Sequence, residues 1–156
     1  MIIQEFDSYS NELIGSYHKE KKYTLLEISS IWTESTLNHT RFLDLFSLLF
    51  TLIENNVSVE ALSEYKKTII PMQTPLNNLI SWLFPNADAE SIYTFSGTQL
   101  SLAFSLYPMS KCSNVQSAAI ALSGMNYKPI DFKKTYQSGL YKLMYCLQNN
   151  IDTVIG

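Results

Sequence analysis

The chain has 156 residues, of which 46% are hydrophobic and 16% charged, enough to bury one sizeable core without staples and too apolar for disorder. Its net charge of -3 and pI near 5.3 exclude a nucleic-acid footprint, which needs clustered Lys and Arg to neutralise phosphate. Cys112 and Cys146 have no metal-like spacing and read as reduced thiols, while Glu5 and Asp7 interrupt the opening stretch before a signal-peptide core can form, so a cytoplasmic protein is expected.

In chain order, Ile2, Ile3, Phe6, Tyr9, Leu13 and Tyr17 recur at helical spacing and predict a first helix reaching Tyr17. Thr24 and Glu27 have the form of a capping box, in which hydroxyl and carboxylate satisfy orphan amides at a helix start. Leu25, Ile28, Ile31 and Trp32 follow as the buried side of that second helix. The stretch 41–54, RFLDLFSLLFTLIE, confines its polar residues to the stripe Arg41, Asp44, Ser47, Thr51 and Glu54. A helix so widely apolar belongs in the centre of a bundle, and its uninterrupted apolar window is half of the roughly 20 residues that a membrane span needs.

Ser58 caps a fourth helix that Pro71 is expected to stop at Ile70, and Thr74-Pro75 reads as a cap followed by proline at the first helical position of a fifth. Asn86 or Asp88 opens a short helix to Tyr93. Ser96 and Gln99 again have capping-box form ahead of Leu100, Ala103, Phe104 and Tyr107, although Leu100, Leu102, Phe104 and Leu106 also alternate at the period of a strand. Helix is the favoured reading. Ser113 to Gln116 opens another helix closed by Gly124, and Asp131 caps the last, in which Phe132, Tyr136, Leu140, Leu143, Met144 and Leu147 share a face that ends at Asn149-Asn150. The expected architecture is all-α: a single compact domain over residues 1–156, with about 7–9 helices around the central apolar helix at 41–54.

Chemical motifs are scarce. His18 and His39 belong to no HxxxH, HExxH or CxxC pattern, so no metal site is expected. Ser96-Gly97 and Ser123-Gly124 lack the preceding glycine of a nucleophile elbow, and no phosphate-cradling glycine loop occurs. Cys146 falls beside the apolar face of the last helix, and Cys112 among polar neighbours. No cofactor and no enzymatic activity are expected.

Charge is unevenly spread: residues 1–65 carry a net -6 and residues 66–156 a net +3. The early helices therefore suggest an acidic outer surface on which Glu5, Glu12, Glu27, Glu34, Glu60 and Glu64, with Tyr9, Tyr17, Tyr23 and Tyr65, would contact a basic protein partner. The function expected from this profile is a protein-binding module. Its most concrete form is a bacterial immunity or antitoxin protein that covers the active site of a basic, nuclease-like toxin, with no nucleic-acid or membrane contact and an oligomeric state left open. A secretion chaperone or adaptor with an apolar groove, and a small helical enzyme with a scattered site, are the alternatives.

Overall fold

The computed structural model describes residues 1–49 and 55–151. Among the described residues are eight helices, α1 (Ile2–Gly15), α2 (Leu25–Asn38), α3 (Thr40–Leu48), α4 (Val59–Met72), α5 (Thr74–Leu83), α6 (Ala89–Ser110), α7 (Asn114–Ser123) and α8 (Phe132–Gln148), and no strand. The all-helical expectation holds. No described helix is long and apolar enough to cross a membrane.

Most helix ends are written in local chemistry. Thr24 Oγ1 accepts from the Glu27 amide at 3.2 Å while the Glu27 carboxylate accepts from the Thr24 amide at 2.8 Å, a complete capping box at the start of α2. Ser113 and Gln116 repeat it for α7. Ser58, Asp88 and Asp131 each accept from the amide three residues on and open α4, α6 and α8. Gly124, at φ 66°, closes α7 in the left-handed conformation that costs glycine little.

Four boundaries differ from the sequence reading. Helix α1 stops at Gly15 rather than Tyr17. Pro71 lies inside the last turn of α4, where its missing N–H sacrifices a single hydrogen bond instead of ending the helix. Thr74 is the first residue of α5 and makes no cap, because the preceding Gln73 is itself helical at φ -75°, ψ -18°. Ser96 and Gln99 do not start a helix at all: α6 runs unbroken for 22 residues from the Asp88 cap, and both side chains are buried within it. The strand alternative for 97–107 falls with that observation.

Helix α8 lies between α2 and α6, and α6 also meets α3 and α5; α1 packs on α2, α3 and α5, with α4 resting on α5. Burial on several sides explains why the apolar residues of α6 show no single face. The contact of α2 with α8 is made by small polar side chains that the apolar pattern does not reveal. Ser29, Thr33 and Thr36 are buried, and each returns its hydroxyl proton to a carbonyl of its own helix, so they bring α8 close without leaving unsatisfied donors. Gly139 does the same between α8 and α6, where a Cβ would sit 2.5 Å from Leu102 Cδ2.

Helix α3 buries Phe42, Leu43 and Phe46 against α1 and α6, with Leu49 buried just beyond its end, and exposes Arg41, Asp44 and Leu48. Tyr9 stacks on Phe42 at 4.8 Å and Phe46 on Phe104 at 5.1 Å. Residues 50–54 of the expected central helix lie outside the described residues.

Candidate functional site

Folding draws the two halves of the charge distribution together. Lys133 of α8 pairs with Glu34 of α2, and Lys111, just after α6, pairs with Asp44 of α3 at 2.7 Å. The other expected contact residues behave alike. Glu5 pairs with Arg41 at 3.2 Å, Glu27 with Lys21 at 3.1 Å and Glu64 with Lys67 at 2.7 Å. Glu12 accepts from Asn38 Nδ2 and meets His39 Nε2, both at 2.7 Å, and these contacts, Asn38 foremost, hold its carboxyl below the usual range. Among the described residues only Glu60 of the six glutamates stands without an ion pair. The tyrosines do not assemble on a surface either: Tyr9 and Tyr17 point into the core, and Tyr23 and Tyr65 are half-buried. Tyr17 donates to the Ile28 carbonyl at 3.1 Å, and burial raises its phenol far above the ordinary value.

The unusual chemistry is internal. Gln99 of α6 is 0% exposed, and its Oε1 accepts from Trp32 Nε1 at 3.2 Å and from the Tyr136 hydroxyl at 2.9 Å. Indole N–H can only donate, so Trp32 fixes the amide with its oxygen inward. Gln99 Nε2 is then left buried with no hydrogen-bond partner. The Tyr9 hydroxyl is in the same position: Thr36 and Trp32 lie beside it, but the Thr36 hydroxyl is committed to the Trp32 carbonyl at 2.8 Å, and no well-formed bond reaches Tyr9. Burial pushes the Tyr9 phenol up to about 12, and raises that of Tyr136, which feels Tyr9 nearby. Ser10 Oγ on α1 is a second buried hydroxyl without a partner.

Each such orphan costs about 1–3 kcal/mol in a folded protein, so a cluster of them in one core marks a place to explain. Helices α1 and α6 supply these orphans, and α2 and α8 supply the Trp32 and Tyr136 donors that hold the Gln99 oxygen. Among the described residues no charged side chain is buried, and no group of His, Cys, Asp and Glu could hold a metal. The interior thus offers hydrogen-bond donors on aromatic walls and no ion-pairing group.

A surface groove of about 530 Å³ approaches this network between the first half of α6 and the end of α8, lined by Asp88, Glu90, Thr94, Phe95, Thr98, Leu143, Cys146 and Leu147, among others. Phe95 is its floor. That ring also meets Trp32 edge-on at 5.8 Å, and Gln99 follows Phe95 by one helical turn, which places the groove's lining next to the network in the fold. Gln99 was visible in the sequence only as a supposed capping residue; its place midway along a continuous helix is the signal that would have found it.

A family model described as the tetracyclin repressor-like, C-terminal domain matches residues 4–145. No curated protein and no solved structure matches the chain. The family match overturns the immunity or antitoxin function, the basic toxin partner and the exclusion of nucleic acid, together with the chaperone and enzyme alternatives: the matched family is one of regulator domains that bind small molecules and act alongside a DNA-binding N-terminal domain. The internal ion pairs supply the physical reason. Four of the six glutamates that suggested a docking face for a cation, Glu5, Glu27, Glu34 and Glu64, already face a Lys or Arg of their own chain.

Proposed function

Since the chain belongs to the family of tetracyclin repressor-like C-terminal domains, we propose that it is the effector-sensing domain of a transcription regulator and that it takes an uncharged, largely apolar small molecule into the Gln99 network. The whole chain serves as one domain inside the cell and performs no catalysis. DNA contact falls to the N-terminal domain with which such domains act. The observation that carries this reading is the Gln99 amide, with both N–H groups unpaired at 0% exposure beside an oxygen that accepts hydrogen bonds from both Trp32 and Tyr136.

A molecule with a carbonyl or hydroxyl would accept from Gln99 Nε2 and reach the Tyr9 hydroxyl, converting unsatisfied groups into bonds. Satisfying these groups is a source of affinity for such a molecule. An ion is disfavoured, because no buried charge offsets its desolvation. Entry runs through the groove, with the Phe95 ring swinging aside, and the ligand parts α6 from α2 and α8. Packed helices respond to such wedging by discrete shifts rather than smooth deformation, which is how a buried ligand moves a distant domain.

Trp32 reports directly on the site. In a Trp82→Phe background, the other tryptophan being removed, indole, phenol and acetophenone as probes should change Trp32 emission and raise the melting temperature. Gln99→Leu should weaken that binding by about 10–100-fold, the factor that 1–3 kcal/mol implies. Probes that leave Trp32 unmoved, or that bind the Gln99→Leu protein equally well, overturn the assignment.

A further inference from the structure

Helix α8 carries Lys133, Lys134 and Lys142 and neither Asp nor Glu. Lys133 pairs with Glu34 of α2. Among the described residues Lys134 and Lys142 make no ion pair. Lys134 also lies in the first turn of its helix, where the helix dipole disfavours a cation, so the stability of α8 gives no reason for its charge. The acids of the two helices and their caps are engaged elsewhere: Glu34 by Lys133, Glu27 by Lys21 and the Thr24 amide, and Asp131 by the Lys134 backbone amide that it caps.

The two lysines frame a groove of about 310 Å³ in the seam between α2 and α8, lined by Leu26 and Ser29 of α2 and by Lys134, Ser138, Tyr141 and Lys142 of α8, with no acid in its lining. Lys134, Ser138 and Lys142 follow one another at four-residue steps along one face, so the lysine stems start about 12 Å apart along the axis with Ser138 midway. The wall between them is carbon: the Leu26 side chain, 63% exposed, the Tyr141 ring, 41% exposed, and the methylene stems of the lysines themselves. Ser29, the buried member of the lining, has its hydroxyl committed to the Leu26 carbonyl at 3.1 Å.

An apolar wall with a cation at each end and no counter-charge selects its occupant. A cationic ligand meets like charge, and a neutral one leaves both ammonium groups unanswered. Nucleic acid binding draws on many phosphate contacts, whereas this groove offers two cations and sets exposed leucine and tyrosine between them. A small amphiphile satisfies both features, with its anionic head on the lysines and its hydrocarbon on the wall. We infer that the α2–α8 seam binds a small fatty carboxylate, the carboxylate held by Lys134 and Lys142 and the hydrocarbon laid on Leu26 and Tyr141. This site is separate from the Gln99 network, since neither Gln99 nor Trp32 nor Tyr136 lines it.

Calorimetric titration of the full chain with octanoate, octanol and octylammonium tests this. Octanoate should bind and raise the melting temperature, and the other two should bind more weakly. The Lys134→Gln, Lys142→Gln double variant should weaken octanoate by about 10-fold, each exposed charge pair being worth up to about fivefold, while the corresponding double arginine variant keeps it. Leu26→Asp, which sets a like charge against the carboxylate, should abolish binding. Lys134, Lys142 and Leu26 are all exposed, so the urea midpoint should stay put in each variant. Gln99→Leu should bind octanoate as the wild type does, which keeps this outcome independent of the core site. Octanol binding as tightly as octanoate, a glutamine double variant that binds undiminished, loss of binding in Gln99→Leu, or capture by phosphatidylglycerol vesicles without any binding of octanoate overturns the inference.

Discussion

Tyr9 and Tyr136 allow one atom to be deleted twice with opposite expected effects. Tyr9 is 1% exposed and Tyr136 0%, so replacement by phenylalanine removes only a buried oxygen from each and creates almost no cavity. Tyr136 OH donates to Gln99 at 2.9 Å, whereas the Tyr9 hydroxyl has no partner. Tyr136→Phe should therefore cost about 1 kcal/mol for the lost bond, while Tyr9→Phe should relieve a desolvation penalty of about 1–3 kcal/mol and stabilise the ligand-free protein. The two variants should differ by about 2–4 kcal/mol, or roughly 5–15 °C in melting temperature for a chain of this size. Urea unfolding followed by far-UV circular dichroism reads this as midpoints moving to opposite sides of wild type at constant slope. If Tyr9→Phe lowers the midpoint as much as Tyr136→Phe does, the Tyr9 hydroxyl has a partner and the picture of a core holding idle donors is wrong.

Other outcomes follow from the same geometry. The Tyr9 phenol is raised from 10.0 to about 12 in the fold, so above pH 10 the unfolded chain releases this proton while the folded one keeps it. The Tyr9 contribution to stability should accordingly be constant below pH 10 and fall as pH climbs toward 12, and the share of tyrosinate absorbance that Tyr9→Phe removes should rise together with unfolding rather than ahead of it. Glu12 titrates below its ordinary 4.5, so the tie it makes to Asn38 and His39 is intact at neutral pH and lost as pH drops through the acid range; Glu12→Gln should flatten that acid limb of a stability-versus-pH curve. Gly139→Leu would drive a side chain into Leu102 and should cost about 1–3 kcal/mol by overpacking, measured as a lowered urea midpoint, whereas Gly15→Ala, with open space around it, should not destabilise.

The helices were legible where signals are local. Caps at Thr24, Ser58, Asp88, Ser113 and Asp131 can be read because the donor and acceptor lie three residues apart. The face of α8 was legible too, since Phe132, Tyr136, Leu140, Met144 and Leu147 all point into one core. What the sequence hid depends on distant partners. Ser96 and Gln99 match a capping box, and only the burial of both inside α6 shows otherwise. The network around Gln99 joins residues 67 and 37 positions away along the chain, to Trp32 and to Tyr136, and no spacing rule spans such separations. The acidic face failed for a related reason: net charge can be counted along a sequence, but Lys133 reaching Glu34 and Lys111 reaching Asp44 cannot.

The position of α8 bears on how the chain comes into being. It is the last described helix in chain order, yet α2 and α6 are both packed against it. While the polypeptide emerges from the ribosome, the sides of α2 and α6 that will receive Phe132, Tyr136, Leu140 and Met144 stay wet, and the Trp32 indole has no finished chamber around it. Assembly of this core consequently waits for α8, and a nascent chain halted before residue 132 is a client for chaperones.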